Sequence, residues 1–139
     1  MIIDASNLIV GRIATVVAQK ALLGEKIDIV NSEKAIITGS KEQVFARFKQ
    51  KYDMGIPSRG PFVHRSADRL LRRSIRGMLP YKQAKGETAF KNIMCWIGVP
   101  EEFKDKKFDT IENANVSKVP TLKYVTLGQV SKYLGGKHE

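Results

Sequence analysis

The chain has a single cysteine, Cys95, in 139 residues. That excludes an internal disulfide and a cysteine-built zinc site. The apolar setting "IMCWIG" predicts a core thiol, not a nucleophile. Histidine is nearly as scarce. His64 and His138 are the two present, and His138 is in the tail, so a metal triad or a Ser-His-Asp relay has poor raw material. No apolar run approaches the ~18 residues of a membrane span. The N-terminal "MIIDASNLIVGR" lacks the basic start and long apolar block of a signal peptide. These features predict a soluble, intracellular protein. Walker and dinucleotide fingerprints are also missing. Asp4 and Asp28 form no evident acid–base pair, and Asp4 reads better as a turn cap. Nothing here signals an enzyme, a cofactor or a small-molecule substrate, and none is expected.

Acid is in short supply as well. Fourteen Asp and Glu face 24 Lys and Arg, for a formal net charge of +10. Such an excess favours an acidic partner: nucleic acid, an anionic membrane or an acidic protein. It is also unevenly spread. Residues 59–91 carry nine bases and two acids, while residues 1–58 and 92–139 are close to neutral. Between Arg59 and Arg76 there are six arginines and no lysine. Arginine's planar fork binds phosphate through two hydrogen bonds and stacks on bases; lysine is a hydrated point charge. A face needed for solubility alone has no reason to prefer arginine.

What remains reads as scaffold. The length fits one domain, residues 1–139, and a 42% hydrophobic composition can fill a core. "MIID", "KIDIVN" and "AIIT" read as short strands. "LIVGRIATVVAQKALLG" has Ile13, Val17 and Ala21 at helical spacing, with Gly24 as the stop. Ser40 and Gln43 have the spacing of a capping box, opening a helix that sets Val44, Phe45, Phe48 and Tyr52 on one face. Strictly, "TGSK" at 38–41 also turns through glycine into a helix start that can hold a phosphate, although a plain capped helix is the simpler reading. "GIPSRGPF" is a loop, "IMCWIGV" has strand character, and "PEEFKDKKFDTIENANVSKVPT" is a polar surface excursion. "KYVT" reads as a last strand or extended segment. Thr126 and Gln129 repeat the capping-box spacing before a short closing helix. The alternation of strands and helices favours an α/β layered domain.

The central stretch "RSADRLLRRSIRGMLPYK" is the feature to explain. On a helical wheel Arg65, Arg69, Arg72, Arg73 and Arg76 fall within an arc of about 100°. Leu70, Leu71, Ile75 and Met78 fall opposite, giving a core side and an arginine stripe. The stripe contains five like-charge neighbours at three or four residues, costing ~1–2.5 kcal/mol together at low salt. Asp68 is expected to offset part of this through Arg65 and Arg72. Phosphates from outside would supply the rest. Flanking bases extend the patch: Arg59 and His64 before it, Lys82, Lys85 and Lys91 after it. Phe62 and Tyr81 are candidates either for base stacking or for the core. A membrane or calmodulin-like partner is disfavoured, because the apolar side is needed by a small core and Trp and Phe anchors are missing.

Several pieces together resemble a known family, that of the thirteenth protein of the large ribosomal subunit in its archaeal and eukaryotic form. They are "IIDASNLIVGRIAT", "VNSEKAIITGSK", "RGPFVHRSADRLLRRSIRGMLPYKQAKGETAF", "IGVP" and "VTLGQVSKYLG". The likeness spans nearly the whole chain, and "RGMLP" followed by basic residues and Gly86 is its most specific part. The chain lacks the N-terminal extension of bacterial members and the long basic tail of eukaryotic ones, so an archaeal type fits best. The resemblance implies a three-layer α/β/α fold around a small, mostly parallel sheet. It implies a structural, cytoplasmic component of the large subunit that binds and helps fold rRNA, beside neighbouring ribosomal proteins. By match to the family's basic segments, the expected rRNA contacts are Arg12, Lys34 and Lys41 near the sheet's loops. The more central ones are Arg59, His64, Arg65, Arg69, Arg72, Arg73, Arg76, Lys82 and Lys85. The alternative is a free RNA- or DNA-binding regulator using the same face.

Overall fold

The computed structural model describes residues 1–136, so His138 lies outside the described residues. Strands β1 (Ile2–Asp4) and β2 (Ile27–Val30) are joined by helix α1 (Val10–Leu22) and pair in parallel. A further strand, β3 (Ile36–Thr38), leaves this sheet and leads into helix α2 (Lys41–Asp53). Then follow α3 (Ala67–Arg76), α4 (Ala84–Lys91) and β4 (Ile93–Cys95), and the chain closes with β5 (Tyr124–Thr126) and α5 (Leu127–Tyr133). β4 pairs in parallel with β2, so the main sheet has the order β1-β2-β4 and β4 is an edge. β3 and β5 form a separate antiparallel pair. The fold is α/β with a small, mostly parallel sheet, as the alternation of elements and the resemblance imply.

One sheet face is a wall of buried apolar side chains: Ile3, Ile27, Ile29, Ile93 and Cys95. Against it lies the core side of α1, with Ile13 and Val17 fully buried. α1 also packs against α3, and the small Ala14 and Ala18 belong to the same buried cluster. The other face carries Asp28 and the part-exposed Met94. There the Trp96 indole donates to Asp28 at 3.1 Å and meets Phe103 edge-on at 6.3 Å. Phe103 comes from the polar excursion, which is anchored as a strap of short 3₁₀ turns. Its Asp109 amide donates to the Ile2 carbonyl at 2.7 Å, and its Ala114 carbonyl accepts from Ile9 at 2.8 Å.

Helix α3 buries Ala67, Leu70, Leu71 and Ile75. Burying each large aliphatic contributes roughly 1.5–3 kcal/mol, which is what fixes the rotation of the helix and turns its arginines away from the core. Two expectations for this segment are corrected. Ser66 adopts the extended N-cap conformation, so Arg65 precedes the helix and does not belong to the wheel. The helix also ends at Gly77, so the wheel does not reach Met78. That side chain is 46% exposed, and Leu79 takes the core position at 4%.

The two predicted capping boxes differ. At α5 both halves form: Thr126 Oγ1 accepts from the Gln129 amide at 3.3 Å, and the Gln129 side chain accepts from the Thr126 amide at 3.4 Å. At α2 the Ser40 backbone is extended as an N-cap should be, but its hydroxyl makes no bond to the helix. The first-turn amides of α2 are therefore not capped from Ser40.

Candidate nucleic-acid interface

The centre of the site is an open cleft of about 460 Å³ between α3 and the edge strand β4. Arg69, Arg72, Arg73 and Arg76 line it, with His64 and Phe62 from the preceding segment and Phe90, Met94 and Cys95 across from them. Its one acid is Asp68. That carboxylate accepts a short hydrogen bond from the Ser66 hydroxyl, next to it at the helix start. The expected relief of Arg65 and Arg72 by Asp68 is not found: neither guanidinium forms a salt bridge with that carboxylate. Among the described residues the salt bridges are Lys91–Glu87 and Lys104–Glu101. No arginine takes part in one.

The four arginines play two different roles. Arg72 is half-buried and committed to the protein. Its guanidinium lies 4.3 Å over the Phe90 ring, Nε donates to the Ile93 carbonyl at 3.1 Å, and Nη2 donates to the Phe90 carbonyl at 3.4 Å. It forms one wall of the cleft and closes the end of α4 onto the start of β4. Arg69 and Arg73 are exposed, and Arg69 Nη1 stands 3.5 Å from His64 Nδ1. Arg76, half-buried, lies 5.0 Å over the Tyr81 ring.

The remaining predicted residues are spread around this centre. Arg65 sits 4.7 Å over the Tyr52 ring, beside Phe62 in an adjoining groove. Its carbonyl is held by the Ser131 hydroxyl of α5. Arg59, Lys82 and Lys85 are exposed on the flanking segments. Arg12 is exposed on α1 and donates to the Asn113 carbonyl of the strap at 2.7 Å. Lys34 is exposed in the Ser32–Lys34 turn, near Asp4. Lys41 lies 5.6 Å over Phe45 at the start of α2. Arg12, Lys34 and Lys41 do not join the cleft.

Two bases on α2 escape a reading confined to the central stretch. Lys51 lies near both Arg47, on its own helix, and Arg73, on the neighbouring one. Partial burial first, and then the positive charges of Arg47 and Arg73, push the Lys51 ammonium below its ordinary pKa. Lys51 and Arg73 line a second, smaller groove between α2 and α3. The sequence signal was the spacing Arg47 and Lys51, one helical turn apart on α2.

Phe62 settles its own alternative. It is 74% exposed and is not a core residue. Cys95 is 6% exposed, and burial pushes its thiol up to about 12, with Arg72 pulling weakly the other way. It is a wall of the cleft and not a nucleophile.

A sequence profile of the ribosomal protein L13 family matches residues 1–102. The chain belongs to that family. The family is a structural, non-enzymatic one. A relative from Archaeoglobus fulgidus, named large ribosomal subunit protein uL13, is 47% identical over 135 residues, covering 96% of this chain and 86% of its own length. Relatives of the same name from Methanococcoides burtonii and Picrophilus torridus are 43% and 44% identical, each over 98% of its own length and at least 98% of this chain. These relatives extend past residue 102, so family likeness includes the strap and the closing helix.

Proposed function

We propose that this chain is a cytoplasmic structural component of the large ribosomal subunit. In this reading it binds rRNA through the α3 cleft and its flanking bases. The observation that carries the RNA contact is the arginine cleft with no carboxylate partner for any of its four guanidinium groups. Arg69 and Arg73 supply bidentate phosphate contacts, and Arg65, Arg59, Lys82 and Lys85 widen the footprint. Lys51 and Arg47 extend it onto α2. Arg72 acts differently, as the fixed wall that positions the others. Recognition is of folded RNA by shape and backbone more than by base sequence. Neighbouring large-subunit proteins are the other expected partners. The names of the archaeal relatives favour this assignment over a free nucleic-acid-binding regulator.

Titrating large-subunit rRNA from the same organism with the purified protein at several salt concentrations tests the reading. Affinity is expected to fall steeply, with a log–log slope reflecting several phosphate contacts. A flat response contradicts it.

A further inference from the structure

Phosphate binding accounts for the cations of the cleft but not for its exposed apolar side chains. Phe62 presents a ring that is 74% exposed, and Met94 is 39% exposed. Both line the same recess as the arginines. Leaving a phenylalanine in water forgoes hydrophobic stabilisation, and an RNA backbone lying across a cationic ridge has no use for it. The recess is also large, at about 460 Å³, within the range of sites that enclose a small organic group. A phosphate oxygen needs no such volume.

The polar groups are arranged for the same occupant. Arg72 is immobilised by Phe90 and by two carbonyls through Nε and Nη2. Its Nη1 makes no hydrogen bond among the described residues, and its plane is held as part of the wall. Arg69 and Arg73 stand exposed at the rim, where a phosphate can reach them. An open cleft that offers an exposed aromatic ring and a methionine, with a fixed guanidinium beside them and exposed cations at its rim, matches a nucleotide: base on the ring, phosphate on the cations.

We infer that the cleft holds one unpaired nucleotide of the bound RNA, its base packed on Phe62 and Met94 and its phosphate on Arg69 and Arg73. The inference rests on the RNA-binding reading above and adds that the contact includes a splayed-out base. Phe62 is then a binding residue, not an incidental exposed ring. Arg72 positions the base edge through Nη1.

The test uses the whole protein bound to large-subunit rRNA of the same organism. Short-wavelength ultraviolet irradiation followed by digestion and mass spectrometry is expected to find a nucleotide adduct on Phe62 or on Met94. Phe62→Ala is expected to weaken binding about tenfold, the size of one lost stacking contact, while leaving the salt slope unchanged because no phosphate contact is removed. Phe62→Tyr is expected to restore affinity. Steep salt-dependent binding with no adduct at either residue, and with Phe62→Ala binding like the wild type, overturns the base pocket and leaves the RNA-binding reading standing. Salt-independent or absent binding overturns both.

Discussion

The guanidinium of Arg72 lies 4.3 Å over the ring of Phe90, with two of its nitrogens donating to the carbonyls of Phe90 and Ile93. This one side chain closes the turn between α4 and β4 and forms the wall of the arginine cleft. A lysine at this position can supply the charge but neither the planar stack nor the fork of donors. Arg72→Lys is therefore expected to lower stability by about 1–2 kcal/mol, the size of a lost cation–π contact with a charge-assisted hydrogen bond. Chemical denaturation measures it. An unchanged midpoint would show that the stack does not hold the turn.

The charges at the rim act against the isolated protein. Arg69 stands in the first turn of α3, where the helix dipole disfavours a cation, and it has Arg72 and Arg73 as helical neighbours. Arg69→Gln is expected to stabilise the free protein by about 0.5–1 kcal/mol while weakening rRNA binding and flattening its salt slope by about one phosphate contact. Opposite signs in the two measurements identify a residue kept for its partner. A destabilised variant would show instead that Arg69 supports the fold.

Gly86 has a steric reason to be glycine. A Cβ at this position would collide with the Pro80 carbonyl and the Tyr81 amide, where α4 rests on the turn after α3. The atoms in the way are backbone and cannot rotate aside. Gly86→Ala is expected to cost roughly 1–3 kcal/mol, as overpacking does, and to loosen the Phe90 end of α4. Thermal unfolding reads the loss; a wild-type midpoint would mean that α4 shifts freely.

Cys95 should be silent at neutral pH. Burial raises its pKa to about 12, so the reactive thiolate is withheld well beyond the ordinary thiol range of ~8.5. Iodoacetamide at pH 8 is expected to leave the folded protein unmodified and to alkylate it fully in denaturant. Rapid labelling of the native state would show that the cleft wall opens.

The scaffold was largely legible in the residues. Short β-branched runs became β1 to β3, and the Ile13, Val17, Ala21 spacing became the buried stripe of α1. The Thr126–Gln129 box formed as its spacing implied. Failures came where one local rule was extended past its reach. A wheel drawn from Arg65 to Met78 started before Ser66, the N-cap that opens the helix, and was carried one residue past the stop at Gly77. The wheel also gives direction from an axis but not the path of a long side chain. Arg72 pointed outward by angle and folded back onto Phe90, a residue eighteen positions away. The Lys51–Arg73 approach depends on how α2 packs, and no periodicity within either segment contains that information.

The most direct measurement is incorporation of the Arg69→Glu, Arg73→Glu double variant into large subunits, followed by sedimentation. Both side chains are exposed, so the monomer should keep its circular dichroism spectrum and melt as one transition. The account predicts a folded protein that stays at the top of the gradient. Co-sedimentation with large subunits at wild-type levels and ordinary salt would contradict it.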